Sequence, residues 1–520
     1  MNYKSIFNLL GILLGIFSLS FVPPLILTFT YEESGREIFL YSFIFFSILG
    51  GSIWTSTRQQ NLPLNISDGF IITTLFWVVL ACAGSIPFYF FGLGISDAIF
   101  ESVSGITTTG ATTITGLDNL PKSILMYRQL LQWIGGAGLI VLAVAVMPAL
   151  GIGGGQLYKT ELPGSHNTQK LTPRIADSAQ ALWKIYVGLT LSCALLYGLS
   201  GMSAFDAIAH SLSTVAGGGF STHDDSIGFF NSGFVEGVCV IFMLLSAASF
   251  AVHYAAIFGG KPLKYFYDSE FKFFLSVVGI VIIISILVIS LSNSYAGLNS
   301  TISTSIFHSV SIITTSGFTT ENFSLWPGFL PYLLLVGAFM GACSQSVGGG
   351  IKAWRVLIMI NQAYKEILKT IHPNAVLTSK IGTKVIDAKI AEKVWGFFSI
   401  YVFIFMFLLL AMLGTGLDFE SAFSAVGACL NNLGPGLGEV AENYTAITGF
   451  GKLISDNFWK TIFYYFGKLF STIFGILFSD NFQGKHITNA KCCTCGKHKR
   501  RQKCGHVLYA CSLCASISGV

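Results

Sequence analysis

Four glycines raise the first chemical question. Gly110, Gly219, Gly317 and Gly434 stand 109, 98 and 117 residues apart, and each closes a segment of small, apolar and hydroxyl residues. Asp97–Gly110 (DAIFESVSGITTTG) and Thr304–Gly317 (TSIFHSVSIITTSG) are identical at nine of fourteen positions, and Asp206–Gly219 (DAIAHSLSTVAGGG) shares six with the first. Ser421–Gly434 (SAFSAVGACLNNLG) is weaker but keeps the length and the terminal glycine. Backbone carbonyls in such segments can replace the hydration shell of a cation, as they do in potassium filters. A glycine at the end permits the φ angles that a carbonyl ladder demands. Helix packing also favours small residues, but it does not require one glycine at the same register in four separate units.

The elements that would position these segments follow from composition. Of 520 residues, 52% are hydrophobic and 11% charged, against roughly 25% charged in a soluble domain. That excludes a soluble enzyme, a disordered chain and a nucleic-acid-binding domain. No Asp, Glu, Lys or Arg occurs in 5–31, 38–57, 69–96, 129–158, 185–205, 237–260, 273–320, 322–351 or 394–417. Each stretch reaches the ~20 residues that a membrane helix needs. The helical part of each repeated segment spans only about ten residues, too short to cross, and lies between two long apolar stretches. Re-entrant backbone is tolerated at membrane depth where it is buried or lines a water-filled path. The expected fold is an all-α polytopic membrane protein. Four helix–re-entrant pore helix–helix repeats surround a central pore with pseudo-fourfold symmetry, preceded by two membrane helices. The divisions are 1–60 for those two helices, then 61–158, 159–260, 261–372 and 373–479 for the repeats, and 480–520 for a Cys-rich tail.

Charge gives orientation. Lys and Arg collect in 159–184, 261–272 and 352–393, the last including Lys352 and Arg355. The positive-inside rule makes these loops cytoplasmic. Asp118, Asp224, Asp225, Glu321, Glu439 and Glu442 follow the glycines, against Lys122. That outer face is acidic, so it concentrates cations. Ten crossings leave both termini in the cytoplasm. Cys82, Cys193, Cys239, Cys343 and Cys429 are isolated in apolar surroundings and read as core residues.

These residues resemble the Trk/Ktr/HKT superfamily of potassium transporters, most closely the bacterial TrkH-type membrane subunit. The resemblance rests on ITTTGAT (106–112), QWIGGAGLIVLAVAVMPALGIGGGQLYKTE (132–161), KLTPRI (170–175), GGGFST (217–222), FAVHY (250–254), TTSGFTT (314–320), SVGGGIKAWR (346–355) and NNLGPGLG (431–438). It implies four filter segments: Thr107, Thr108, Thr109 and Gly110; Ala216, Gly217, Gly218 and Gly219; Thr314, Thr315, Ser316 and Gly317; Asn431, Asn432, Leu433 and Gly434. Glycine at all four ends favours potassium over sodium in that superfamily.

The resemblance also implies a gating loop inside the membrane, matching Gly341, Ala342, Cys343, Ser344, Gln345, Ser346, Val347, Gly348, Gly349 and Gly350. Composition supports a break there, since four glycines and three polar side chains make a poor membrane helix. The family's pore-facing Arg in the last helix corresponds to Lys468, which lies in the apolar run 461–479. Lys468 reads either as an electrostatic barrier in the conduction path or as a snorkelling side chain. His210 and His308 stand nine residues before their glycines, where Glu101 stands in the first repeat. Hydrogen bonding behind the filter is the stronger reading for them, and metal ligation the weaker. A membrane metalloenzyme built on His210, His253 and His308 is a rival from another class, as is a non-conducting sensor or assembly subunit.

The tail departs from the family. Cys492, Cys495, Cys511 and Cys514 have the ingredients of a zinc knuckle, but a degenerate terminus is the stronger reading. No GxxxxGK[ST] stretch occurs, so no nucleotide or other cofactor is expected on this chain beyond the permeating potassium. The resemblance implies a homodimer in lipid at the bacterial cytoplasmic membrane, with a cytosolic nucleotide-binding ring of the TrkA type as partner and no nucleic acid.

Overall fold

The computed structural model describes residues 3–58, 66–145, 175–292 and 297–450, apart from positions 376, 378, 379, 383 and 387. These lie in the first of two units, Met1–Ser479 and Asp480–Val520. Lys468 and the tail residues Cys492, Cys495, Cys511 and Cys514 lie outside the described residues.

The described chain is helical apart from a two-residue ladder, Lys380–Ile381 with Lys384–Val385. Helices α1 (Tyr3–Ser18) and α2 (Val22–Thr30) form one broken stretch, with proline in the first turn of α2. Helix α3 (Arg36–Thr57) packs back on α1. A Cβ on Gly11 would meet the Trp54 backbone N at 2.8 Å, and one on Gly50 would meet the Gly15 N at 2.7 Å. Small residues let the two backbones approach this closely.

The repeats follow in chain order. The first holds α4 (Ile66–Phe90), the short α5 (Ile95–Ile106) and α6 (Lys122–Ala145). The second holds α7 (Ile175–Leu199), the short α8 (Ala204–Ala216), α9 (Gly233–Ala247) and α10 (Phe250–Ile257). After α11 (Lys264–Tyr267), the third holds α12 (Ser269–Ser292), the short α13 (Leu298–Ile313), α14 (Leu330–Met340) and α15 (Ala353–Ile371). Of the fourth, α16 (Ala388–Leu413) and the short α17 (Phe419–Leu430) are described.

Among the described residues, five stretches are long and apolar enough to cross a membrane: Tyr3–Thr30, Arg36–Thr57, Gln180–Leu199, Ser269–Ser292 and Ile390–Leu413. A sixth, α9 with α10, bends by 102° at its break. Composition led us to expect ten crossings. Part of the expected ten, including the run 461–479, lies outside the described residues; within them, α14 is cut short at Gly341. On α12, Ile280, Ile283, Leu287 and Leu291 are exposed while Phe274, Val278, Val281 and Ile289 are buried. Both faces are apolar because one meets protein and the other meets lipid. The expectation of five core cysteines fails for Cys82, which is exposed, and in part for Cys429, which is half-buried.

The repeats close into a ring. Arg128 and Gln132 of the first reach the second, and the Ile227 and Gly228 N–H groups donate to Thr319 O of the third. Asn322 Nδ2 donates to Glu442 Oε1 of the fourth at 3.1 Å. The Tyr444 N–H then returns to Thr112 O of the first at 2.9 Å, with the Tyr444 ring 5.6 Å from that of Phe100.

Candidate ion-conduction site

Each short helix ends in the same way. The backbone N–H groups of Thr108, Gly217, Thr315 and Asn432 bond three residues back, and those of Thr109, Gly218, Ser316 and Leu433 bond five residues back. This is a Schellman-type cap, whose hinge residue sits in the left-handed region. The hinges are Thr108 (φ +60°), Gly217 (φ +63°), Thr315 (φ +61°) and Asn432 (φ +56°). Three of the four are not glycine, and two are β-branched, for which this conformation is strained by about 1–3 kcal/mol each. The hydroxyls beside them are tied down. Thr107 and Thr109 lie 3.1 Å apart, and Thr314 and Ser316 lie 2.9 Å apart.

The terminal glycines meet in order around the ring. A Cβ on Gly110 would strike Gly218 O, and one on Gly219 would strike Ser316 O. One on Gly317 would meet Pro435 Cδ at 2.9 Å, and one on Gly434 would meet Gly110 O at 2.7 Å. Gly110, Gly219 and Gly317 have φ of +82°, +75° and +82°. Gly434 is not left-handed, which corrects the expectation that all four glycines serve an unusual φ. Its side chain is excluded by close approach instead. Among the described residues, the carbonyls of these four glycines accept no hydrogen bond. Carbonyls that no protein group engages are what a dehydrated cation can use.

Behind the ring, two residues that composition and repeats did not flag do much of the holding. Gln132 Nε2 donates to Gly218 O at 2.7 Å, while its Oε1 accepts from Ser213 Oγ and from Phe220 N. Arg128 is 1% exposed and Glu101 0%, and Arg128 Nε donates to Glu101 Oε1 at 2.7 Å. Arg128 also reaches Ser221 O and Thr112 Oγ1 and stacks 4.2 Å over the Phe220 ring. Arg128 and Gln132 stand one helical turn apart on α6, a spacing that could have marked them as one polar face.

Glu101, His210 and His308 do occupy one role. Glu101 accepts from Thr112 Oγ1 and Thr113 N. His210 bonds Asp206 O and Ser221 Oγ, and His308 bonds Thr304 O and Glu321 O. Each pins its helix to the chain that leaves the ring. His253 sits elsewhere, between Tyr265 OH and Leu245 O.

Beneath the ring lies the loop 341–352. The Gly349 N–H donates to Thr315 Oγ1 at 2.6 Å, and the Gly350 N–H to Asn431 O at 3.1 Å. A Cβ on Gly348 would meet Thr314 O at 2.7 Å, and one on Gly217 would meet Val347 Cγ2 at 3.5 Å. The loop therefore touches the first or second residue of three candidate filter segments. Gly341 (φ +68°), Gln345 (φ +61°) and Gly350 (φ +79°) shape it. Cys343 N donates to Ala247 O, Ser346 Oγ donates to Cys343 O, and Ala342 N bonds Gly349 O. Lys352, which we grouped with the cytoplasmic cations, instead turns its Nζ to the carbonyls of Ser346 and Gly348.

Above the ring is a cavity of about 480 Å³ lined by Gly110, Gly219, Gly317 and Gly434 together with His223, Asp224, Asp225, Glu321 and Glu442. Of the six expected acids, Asp118 and Glu439 do not line it. Asp118 pairs instead with His223 Nδ1, and His223 Nε2 lies 3.5 Å from Asp206 Oδ1. Partial burial works against the charged imidazole, but the Asp206 and Asp118 carboxylates outweigh it and raise its pKa above the ordinary value. Because the folded value is raised, this pairing stabilises the fold fully below the ordinary histidine range and loses that effect as pH rises through the raised value. Asp118 is 43% exposed, so screening limits the gain to about 1 kcal/mol. The thermal midpoint of the unaltered protein should exceed that of His223→Gln below the ordinary histidine range, and the gap should close as pH rises through the raised value. A gap independent of pH would remove His223 from this role.

Helices with lipid-facing apolar sides, closed around re-entrant segments, define a polytopic membrane transport protein rather than an enzyme. The chain belongs to the TrkH family of cation transport proteins, whose family model matches residues 35–455. It is 46% identical over 449 residues to the Trk system potassium uptake protein TrkH of Vibrio parahaemolyticus serotype O3:K6, covering 85% of this chain and 93% of that protein. To TrkH of Escherichia coli K12 it is 45% identical, over 87% of this chain and 95% of that protein. To TrkG of the same strain it is 39% identical, over 87% and 94%. The crystal structure of the potassium transporter TrkH from Vibrio parahaemolyticus matches with a TM-score of 0.81 at 42% identity, over 93% of this chain and all of that one.

Proposed function

We propose that this chain takes up potassium across the bacterial cytoplasmic membrane. Cations gather at the acidic outer mouth, shed water against the backbone of the four ring segments, and pass inward when the 341–350 loop withdraws. The observation that carries the reading is the cyclic contact of the four segments that end in Gly110, Gly219, Gly317 and Gly434, beside an acid-lined cavity. The relatives' names, which specify potassium uptake, support the choice of ion. In this reading the chain works as a homodimer with a cytosolic nucleotide-binding ring of the TrkA type, docked on the basic segments 159–184 and 352–393. Lys468, if it reaches the conduction path, adds an electrostatic barrier below the ring.

The test is potassium flux into liposomes with the full chain and with Gly348–Gly350 deleted. The deletion removes both hydrogen bonds from the loop to Thr315 and Asn431. At about 1 kcal/mol each, their loss should raise basal flux by roughly tenfold or more. Equal flux in the two forms would make the glycines a structural kink, and no flux in either would overturn transport itself.

A further inference from the structure

One carboxylate joins the two limbs of the loop. Glu270 lies in the first turn of α12, and its Oε1 accepts the backbone N–H of Ser344 at 2.5 Å and that of Trp354 at 3.1 Å. Ser344 is on the limb that descends from α14, and Trp354 is on the limb that enters α15. The two donors belong to chain segments with no helical register in common, so a single acceptor fixes the span between them. Glu270 itself is held in place, because Asp268 Oδ1 accepts the N–H groups of Glu270 and Phe271 at 3.1 and 3.0 Å and caps the helix start. An N-cap of this kind anchors the first turn. The loop must leave its seat beneath Thr315 and Asn431 for ions to pass, whereas a capped membrane helix need not move.

We infer that Glu270 is a positioning residue of the gate: its carboxylate clamps both limbs of the loop in the seated state and releases them when the loop withdraws. This rests on the reading of the 341–350 loop as the gate. An interaction shifts an equilibrium only by its difference between the two states, and these bonds exist only while the loop is seated. Losing both hydrogen bonds shifts the seated fraction roughly tenfold or more. The Gln side chain keeps an acceptor oxygen at the same reach, while Ala keeps none.

Two measurements on the full chain in liposomes test this. One is basal potassium flux. The other is the rate at which N-ethylmaleimide modifies Cys343, read by peptide mass spectrometry. Cys343 is 1% exposed within the seated loop, so its modification reports release without reference to transport. Glu270→Ala should raise both rates about tenfold, and Glu270→Gln should bring both most of the way back. If Glu270→Ala fails to fold, Glu270→Asp, too short to serve both donors, should move both rates in the same direction. Unchanged Cys343 modification in a folded alanine variant would overturn the clamp. Faster modification with unchanged flux would uphold the clamp and overturn the loop's role as the gate.

Discussion

Serine at position 110 is expected to cripple the ring at the junction of the first and second repeats. The residue has φ +82°, and its Cβ would overlap Gly218 O. Neither partner can yield easily. Gly218 O is held by Gln132, and Gln132 is held in turn by Ser213 and Phe220. The left-handed backbone alone is unfavourable by about 1–2 kcal/mol for a residue with a Cβ, and the overlap adds to it. A total of about 2 kcal/mol corresponds to a factor of roughly 30, which should appear as lost potassium flux and a lower potassium-to-sodium ratio. Gly434→Ala offers an internal comparison. Gly434 is not left-handed, and its added Cβ would sit 2.7 Å from Gly110 O, so its defect should be milder. Flux of both ions, measured in liposomes per folded protein, decides the matter. An unaltered ratio and flux in Gly110→Ser would remove Gly110 from the conduction path.

Arg128→Ala should be the most destabilising single change in the described residues. It strands the Glu101 carboxylate where exposure is 0%. Breaking a buried pair by removing one partner typically loses about 3–5 kcal/mol, because the remaining charge is left without compensation. The loss also severs the bridge to Ser221 O and Thr112 Oγ1, which ties together the chains leaving two adjacent ring segments. Lysine should restore only part, since one ammonium cannot reproduce three directed contacts and the stack on Phe220. Adding Glu101→Gln to Arg128→Ala should recover more stability than lysine does, because the charge to be compensated is gone. Thermal midpoints in one detergent give the ranking. A single mutant as stable as the parent would mean that the pair is hydrated rather than buried.

Much of this protein was legible from residues alone. Long charge-free runs require membrane helices because lipid offers backbone groups no partner but the chain itself. The fourfold recurrence of a glycine-terminated segment is a property of the linear sequence, as is the glycine-rich stretch that ends α14 at Gly341. What only the tertiary structure decided is which residues carry the strain and which hold the ring. Thr108 and Thr315 resist the left-handed conformation by local preference, yet adopt it because the cap and the neighbouring segments over-determine it. Gly434 shares the register of the other glycines but is demanded by the approach of Gly110, its neighbour in the ring although it belongs to the first repeat of the sequence. The bond from Thr109 Oγ1 to Asn432 Oδ1 joins residues 323 positions apart. Gln132, Arg128 and Glu270 are likewise defined by partners in distant segments of the chain. Local sequence sets helices and breaks through periodicity and backbone preference, but closing four repeats on one axis creates contacts that no local pattern encodes.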